Sequence, residues 1–435
     1  MAAPAPPLRN QHTHPQSTIM SLRRDTTIVF LCGFLRSLVA GTSGVVLALF
    51  LHQIGWGLGR TGLLISVGLA GIATGTLLTG IFGDGMGRRR ALLIVSTLTA
   101  VGAAALAWAD ALPLMPAALL VAAFFGMING LGRDRGPAYA LDQALLAEMS
   151  APQRRTWTIA WYSLLLDAGL ALGSLAAGLP VLLEREAGAG PMASFRAVWM
   201  ACAALSAVTA ILYSRLSPSI EAAMPRAASA PRFAWQAASA ESRSRIWKLA
   251  ALTGMDSFGG GFLSSALVSY WFFTRFGLGL EWLGPLFAAA RVANAISHLV
   301  AAWLARRIGL LNTIVFTHLP SSVFLVAVPF APNLTWAVIL FLLREGLVEM
   351  DVPTRQSFIL AVVRPEERTL ASGTTTFTRN VAYAAAPVFA GWAMKAVSLA
   401  SPLYLGGGIK ILYDVLLYFS FRQVKPPEEE VERKR

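Results

Sequence analysis

The chain has 435 residues, of which 55% are hydrophobic and only 14% are charged. About a quarter of the residues in a soluble protein are charged, so this composition excludes a soluble globular protein. The net charge of +13 does not indicate nucleic-acid binding, because the basic residues lie between apolar segments and not on one polar face. The two cysteines, Cys32 and Cys202, both lie in apolar runs and indicate neither a disulfide framework nor a metal site.

Residues 1–24 are polar and contain prolines, which predicts a disordered tail. They lack the charged region followed by an apolar region that a cleavable signal peptide has. Either Met1 or Met20 fits as the first residue. Twelve apolar segments follow, and about 20 apolar residues cross a bilayer as a helix. We number these segments spans 1 to 12. Their predicted bounds are 27–51, 60–82, 91–110, 114–147, 156–182, 195–215, 246–273, 282–304, 311–330, 334–362, 370–396 and 402–421.

The polar stretch 216–245 separates spans 6 and 7 and is predicted to be a linker. It divides the chain into an N-terminal half (25–215) and a C-terminal half (246–421), followed by a charged tail (422–435). An even number of spans places both termini on one side of the membrane. Segments on that side hold 23 Lys and Arg residues against five on the other, which predicts cytoplasmic termini.

The two halves repeat each other at a shift of 213 residues. At this shift Gln143 pairs with Gln356, Pro152 with Pro365, Arg155 with Arg368, Thr156 with Thr369, and Gly178 with Gly391. Such a repeat is typical of transporters built from two related bundles. The predicted fold class is therefore an all-α membrane protein with twelve transmembrane helices in two pseudo-symmetric six-helix bundles.

The segment between spans 2 and 3 reads Gly80-Ile-Phe-Gly-Asp84-Gly-Met-Gly87-Arg88-Arg89-Arg90 and is predicted to be a short hairpin loop. It resembles the signature loop of the major facilitator superfamily of secondary transporters. The resemblance implies that Gly80 and Gly87 allow a tight turn. It also implies that Asp84, Arg88 and Arg89 hold the two halves together on the cytoplasmic side. The family usually has a basic residue after the acid, whereas this chain has Gly85. A partial copy after span 8 ends in Arg306-Arg307-Ile-Gly309.

Small residues recur in spans 5 and 11. Gly169-x-x-x-Gly173-Ser174-x-x-Ala177-Gly178 overlies Ala382-x-x-x-Ala386-Pro387-x-x-Ala390-Gly391 at the same shift. One interpretation is close helix packing, since small residues let helices approach in lipid. The other is a resemblance to the antiporter motif of exporting facilitators, from which Ser174 and Ala177 depart. Both interpretations remain open at the level of sequence.

Ionisable residues lie inside the predicted spans, eight basic and eight acidic. The bases are Arg36, Arg133, Arg135, Arg291, Arg344, Arg355, Arg379 and Lys410, and the acids are Asp134, Asp142, Asp167, Asp256, Glu345, Glu349, Asp351 and Asp414. Each charge costs roughly 2.5–3.5 kcal/mol at a bilayer centre, so these residues must face partners or a wet cavity. Pro137 and Pro353 are expected to interrupt spans 4 and 10, which carry most of these charges.

The resemblance implies that spans 1, 4, 7 and 10 line a central cavity. The candidate substrate and proton pathway is therefore Arg36, Arg133, Asp134, Arg135, Asp142, Asp256, Arg344, Glu345, Glu349, Asp351 and Arg355. Burial favours a protonated carboxyl, whereas a nearby arginine favours the carboxylate. Glu345 and Glu349 are the predicted proton carriers, and Asp351 is the predicted ion-pair partner of Arg355. Aromatic residues near span ends, including Trp161 and Tyr162, are predicted interfacial anchors.

The resemblance implies secondary active transport of a small solute by alternating access, proton-coupled and outward-directed. Proton-coupled import, uniport, and a non-transporting scaffold or sensor are the alternatives. An enzyme is not indicated, because the sequence offers no nucleophile–base set and no metal-ligand cluster. The expected partners are a small-molecule substrate, protons and the lipid bilayer, without nucleic acid, metal or cofactor. A monomer in the plasma (inner) membrane is expected, and the sequence does not specify the substrate.

Overall fold

The computed structural model describes residues 15–109, 115–133, 136–150, 154–218, 220, 240–361, 363 and 368–423. The regular secondary structure of these residues is helical. The α-helices are α1 (Pro15–Gln53), α2 (Leu58–Met86), α3 (Arg88–Ala107), α4 (Met115–Gly126), α5 (Pro137–Met149), α6 (Arg155–Ala176), α7 (Leu179–Ala187), α8 (Pro191–Ser214), α9 (Ala240–Gly261), α10 (Ser265–Phe276), α11 (Leu280–Ile308), α12 (Leu310–Ala327), α13 (Leu334–Val348), α14 (Asp351–Ala361), α15 (Arg368–Ala396) and α16 (Ser401–Phe421), with a 3₁₀ turn at Val328–Phe330.

These helices account for the twelve predicted spans. Eight segments are long and apolar enough to cross a membrane, and they correspond to spans 1, 2, 3, 5, 6, 8, 9 and 12. Spans 4, 7 and 10 are each broken into two shorter helices: α4 and α5, α9 and α10, and α13 and α14. Span 11 is the single 29-residue helix α15. The predicted breaks in spans 4 and 10 are therefore present.

Two helices extend beyond their predicted bounds. Helix α1 already includes residues 15–24, which were predicted to belong to a disordered tail, and residues 1–14 lie outside the described part. Helix α9 begins at Ala240, inside the predicted linker, most of which also lies outside the described part. The buried Asp25 carboxylate anchors this end of span 1, because it accepts a hydrogen bond from the Ser217 backbone N–H at 3.2 Å.

The loop between α2 and α3 is shorter than the predicted hairpin loop. Helix α2 continues to Met86 and α3 begins at Arg88, so Gly87 alone forms the corner, with φ 95°. The same corner recurs between α11 and α12, where Gly309 has φ 85° and ψ 165°. Residues with a side chain rarely adopt this backbone region. The two glycine corners are a structural counterpart of the sequence repeat.

We expect Gly309→Ala to lower the free energy of unfolding by about 1–3 kcal/mol, the usual cost of a side chain in this backbone region. Gly408 is the matched control, since it lies inside α16 with open space where a methyl group would be. Gly408→Ala should leave stability unchanged or raise it by up to ~1 kcal/mol. Unfolding of the purified protein in mixed detergent micelles measures both. Equal effects of the two substitutions would contradict the strain assigned to Gly309.

The two halves use equivalent internal contacts. In the N-terminal half span 1 packs against span 5 and span 3 against span 6; in the C-terminal half span 7 packs against span 11 and span 9 against span 12. We call the face of the membrane that holds the start of α1 and the end of α16 the terminal side, and the opposite face the distal side. On the terminal side, each half has its own apolar cluster. On the distal side, one apolar cluster joins both halves.

The halves meet where span 2 packs against span 11 and span 5 against span 8. A methyl group on Gly391 would overlap the backbone of Leu58, and one on Gly62 would overlap the backbone of Pro387. The Val388 N–H donates to Ser66 Oγ across the same contact at 2.9 Å. The described structure is therefore closed on the distal side.

Within the N-terminal half, a methyl group on Gly169 or Gly173 would overlap the backbone of span 1 at Phe34 or Leu38. A methyl group on Gly178 would make only ordinary contacts, the nearest one in the other half being Glu281 Cα at 3.7 Å. Close helix packing thus accounts for Gly169 and Gly173, while the antiporter interpretation of this motif remains a prediction.

Candidate functional site

Three helix breaks meet near the centre of the molecule. The irregular residues 127–133 of span 4 contact the start of α10 in span 7, where Ala266 N–H donates to the Gly130 carbonyl at 3.2 Å. Ser265 Oγ donates to the Leu131 carbonyl at 2.9 Å. The break in span 10 places Glu349 and Met350 between α13 and α14. Irregular backbone at mid-depth is tolerated where it lines a polar cavity, and broken helices are typical of transporter binding sites.

A cavity with a volume of about 60 Å³ lies beside these breaks. One water needs roughly 10–15 Å³ of such space, so the cavity in this conformation has room for a few waters. Its ionisable lining residues are Arg133, Asp256, Arg291, His318, Arg344, Glu345, Glu349, Asp351, Arg355, Arg379, Tyr383 and Lys410. Apart from Arg133, all of these come from the C-terminal half. The C-terminal half therefore provides nearly all of the ionisable side chains of this cavity.

Arg133 connects the halves by an ion pair with Glu349. Glu349 is only 4% exposed and caps the C-terminus of α13. One turn earlier, Glu345 forms an ion pair with Arg344 and accepts a hydrogen bond from Asn294 Nδ2 at 3.0 Å. Both predicted proton carriers therefore have an arginine partner. Asp134 and Arg135, which precede α5, lie outside the described residues.

Asp256 is the centre of a second set of buried charges. Its carboxylate accepts from Arg355 Nη1 at 2.7 Å and from Lys410 Nζ at 2.6 Å. Arg355 also forms an ion pair with Asp351 at 2.7 Å, as the i,i+4 spacing on α14 predicts. The sequence around Asp256 contains no nearby base, so only the tertiary fold provides these partners.

His318 on α12 extends this set. Its Nδ1 lies 2.9 Å from Asp414 Oδ1, and its Nε2 lies 3.3 Å from Lys410 Nζ and 3.5 Å from Asp256 Oδ1. His318 and Asp414 are almost completely buried. Asp414, His318, Lys410, Asp256, Arg355 and Asp351 thus form a continuous row of buried groups, which we call the relay row.

Arg36 and Asp142 form a separate network in the N-terminal half. Arg36 Nη1 lies 2.8 Å from Asp142, whose carboxylate also accepts hydrogen bonds from the Tyr162 and Tyr213 hydroxyls, each at 2.8 Å. Arg36 lines a second cavity of about 80 Å³. The prediction that Tyr162 is an interfacial anchor is wrong, since its side chain is fully buried, whereas Trp161 is exposed.

The residues of the signature loop have partners inside the N-terminal half. Arg88 donates two hydrogen bonds to Glu148 at 2.8 and 2.9 Å, and Arg89 donates to the carbonyl of Ser214. The side chain of Asp84 lies outside the described part of the structure. The predicted role of Asp84, Arg88 and Arg89 in holding the halves together therefore stays a prediction.

Sequence reasoning did not select His318, Lys410 or Tyr213 as site residues. Lys410 and Asp414 are four residues apart on α16, and two ionisable residues on one face of an apolar helix were a usable signal. His318 gave no comparable signal in the sequence, because a single histidine in an apolar run has no spacing to interpret. Its partners are 96 and 92 residues away in the chain.

Comparison with known proteins agrees with this architecture. The family model of the Major Facilitator Superfamily matches residues 29–350. An uncharacterized membrane protein of Saccharomyces cerevisiae, YJR124C, is 26% identical over 425 residues, covering 92% of this chain and 94% of that protein.

Solved transporter structures share the fold. A mutant of the nucleoside transporter NupG superposes with a TM-score of 0.72 at 11% identity, over 91% of this chain and 100% of NupG. A D-xylose-proton symporter gives a TM-score of 0.70 at 16% identity, over 92% of this chain and 97% of the symporter. The inward open xylose transporter XylE from E. coli gives a TM-score of 0.66 at 15% identity, over 92% of this chain and 95% of XylE. At these identities the likeness concerns the fold alone. The family match, over most of the chain, indicates a transporter rather than an enzyme. The chain is a multi-pass membrane protein and belongs to the major facilitator superfamily of secondary transporters.

Proposed function

We propose that this protein couples the movement of protons to the transport of a small solute by alternating access, with export as its direction. The relay row carries this proposal. It brings titratable groups of spans 7, 9, 10 and 12 into one buried row, and five of its six members line the central cavity. A row of this kind gives a proton a route to groups that also face a substrate.

His318 is the proposed proton carrier. Lys410 Nζ can only donate, so its 3.3 Å approach to His318 Nε2 favours an unprotonated Nε2 and a protonated Nδ1 that donates to Asp414. A proton added at Nε2 would face the Lys410 ammonium group. His318 would then compete with Lys410 for Asp256, which also holds Arg355 at the cavity wall. Protonation and cavity shape would thus be linked through Asp256.

The partners of Glu345 and Glu349 favour a different role for these two residues. An arginine beside a carboxylate stabilises the charged form, and both acids have such a neighbour. We infer that they set the charge of the cavity and the contact between the halves, while His318 changes its protonation state. This assignment replaces the expectation drawn from sequence spacing.

The closed distal side supports alternating access. Since both termini are predicted to be cytoplasmic, this conformation corresponds to an inward-facing state. Transport then requires the close contacts of span 2 with span 11 and of span 5 with span 8 to separate. Each of these contacts includes a glycine against the opposing backbone, Gly62 and Gly391 in the first and Gly284 in the second, which brings the helices close.

Proteoliposomes with an imposed pH gradient test the proposal. A mixture of small metabolites is offered on one side, and accumulated solutes are identified by mass spectrometry with and without a protonophore. We expect wild-type accumulation to depend on the gradient. His318→Gln should reduce gradient-driven accumulation at least tenfold, and Asp414→Asn should reduce it to a lesser extent.

His52→Gln is the matched control, because His52 lies at the distal end of α1 on Tyr270 and Phe273, away from the relay row. Accumulation by this variant should depend on the gradient as in the wild type. Accumulation that resists the protonophore, or survives His318→Gln unchanged, would contradict proton coupling through the relay row. Inverted vesicles decide between export and import. If no solute moves under any condition, a scaffold or sensor would be the better account.

A further inference from the structure

The charges that line the central cavity do not balance. Of the described lining residues, six are Arg or Lys and four are Asp or Glu. Each of the four acids already has a basic partner: Glu345 has Arg344, Glu349 has Arg133, Asp351 has Arg355, and Asp256 has Arg355 and Lys410. The described lining therefore has an excess of positive charge, and Arg291 contributes to it without belonging to any of these pairs.

Arg291 lies deep in the membrane-spanning region. It is the twelfth residue of the 29-residue helix α11, near its middle, and only 8% of its surface is exposed. Within the described residues, it forms no ion pair within 4 Å. Its described hydrogen bond, from Nη2 to Ser265 Oγ, measures 3.4 Å, which is beyond the usual range for an N–H donor. That hydroxyl already donates to the Leu131 carbonyl at 2.9 Å.

A guanidinium group has five N–H donors in a planar fork that matches a carboxylate or phosphate group. A buried cation without a counter-ion is costly, particularly in a membrane protein. An anion in the cavity would supply both the missing charge and the missing acceptors. Arg133 acts on Arg291 as a like charge, while Glu345, Glu349 and Asp167 act on it from a distance as opposite charges. Glu345 and Glu349 are engaged by other arginines.

The remaining wall of the cavity is apolar. Phe287, Phe341, Leu325 and Val268 line it on the side toward the distal apolar cluster. A ligand that fits both surfaces has an anionic group at one end and an apolar body at the other. The small volume in this conformation favours a compact molecule.

We propose that the transported solute is a small organic anion, whose carboxylate or phosphate group binds Arg291. Transport of this anion rests on the function proposed above, but its binding does not. Arg291 is the proposed binding residue, and its Nη2 approaches Ser265 at the break in span 7. The anion thereby joins α11 to the region where spans 4, 7 and 10 meet.

Ligand-dependent stabilisation of the purified full-length protein in detergent tests this assignment. The anionic probes are butyrate, succinate and phenyl phosphate; butyramide is the neutral isostere and butylamine the cationic one, all at equal ionic strength. We expect at least one anion to raise the thermal unfolding midpoint by about 2 °C or more, as preferential binding to the folded state requires. Butyramide and butylamine should leave it unchanged. The best of the three probes distinguishes carboxylate from phosphate recognition.

Arg291→Gln should weaken binding of that anion at least tenfold, and Arg291→Lys should retain an intermediate affinity because it keeps the charge but loses the fork. Arg275→Gln, which removes an exposed arginine at the distal end of α10, should bind like the wild type. If Arg291→Gln does not fold, the comparison of anion, amide and amine on the wild type, together with Arg291→Lys, decides the question.

The assignment is wrong if none of the anions stabilises the protein, if butylamine or butyramide stabilises it equally, or if Arg291→Gln binds as tightly as the wild type. These results are independent of proton coupling, since equilibrium binding needs no gradient. Anion binding through Arg291 combined with flux that resists the protonophore would refute the coupling proposal alone. Gradient-driven flux of a cation would refute the anion assignment alone.

Discussion

Replacing Asp256 by asparagine is expected to lower the free energy of unfolding by about 3–5 kcal/mol, the usual cost of leaving buried charges without their partner. Asp256 is 2% exposed and accepts from both Arg355 and Lys410. The substitution therefore leaves both cations without their counter-charge and replaces one of the two acceptor oxygens by an amide donor. Unfolding in mixed detergent micelles measures the loss, and transport should disappear together with stability.

Two further variants separate this effect from a general loss of fold. The double variant Asp256→Asn with Lys410→Met removes one of the stranded cations, so it should recover part of the lost stability and show non-additivity of the pair. Glu186→Gln neutralises an exposed acid on α7 and should change stability by less than about 0.5 kcal/mol. A cost of Asp256→Asn no larger than that of Glu186→Gln would show that Asp256 does not hold the relay row together.

Breaking the ion pair between Arg133 and Glu349 is expected to shift the balance between the two end states. The pair connects the halves at the breaks of spans 4 and 10 in a conformation closed on the distal side. If Arg133→Gln destabilises this conformation by about 3 kcal/mol, the ratio of the two states changes roughly a hundredfold. Transport should fall strongly, because one end state would become scarce.

Distance measurements between labels at positions 60 and 395 follow this shift. These exposed positions lie near the distal ends of spans 2 and 11, which are packed together here. Labelling uses a variant in which Cys32 and Cys202, both buried, are replaced by alanine. We expect a longer distance to gain population in Arg133→Gln. The exchanged pair Arg133→Glu with Glu349→Arg should return it toward the wild-type distribution. An unchanged distribution in Arg133→Gln would remove this pair from the switching mechanism.

Much of the fold follows from local properties of the sequence. Long apolar runs require helices in a bilayer, because lipid cannot satisfy exposed backbone groups. Pro137 correctly indicated the break in span 4, since a proline disfavours continuation of a helix through it. The length of the corner at Gly87 was not predictable in this way. The segment looked like an eleven-residue loop, but α2 continues through most of it.

The candidate site was only partly predictable. The pair of Asp351 with Arg355 follows from their four-residue spacing on one helix. The pair of Glu349 with Arg133 does not follow from spacing, since Arg133 belongs to the other half of the chain. The prediction of Glu345 and Glu349 as proton carriers used burial and their positions on one helix. Arg344 is adjacent to Glu345 in the sequence, whereas only the fold shows that Arg133 pairs with Glu349.

The sequence by itself determined that this protein has twelve membrane spans in two related halves, with charged residues concentrated in spans 4 and 10. These properties depend on composition and periodicity, which each segment carries alone. Only the tertiary structure decided that His318 joins Asp414, Lys410 and Asp256, and that Arg291 faces the cavity beyond the paired charges. The physical reason is that charge compensation in a membrane interior is set by distances between helices, and residues about a hundred positions apart become neighbours only when the helices pack.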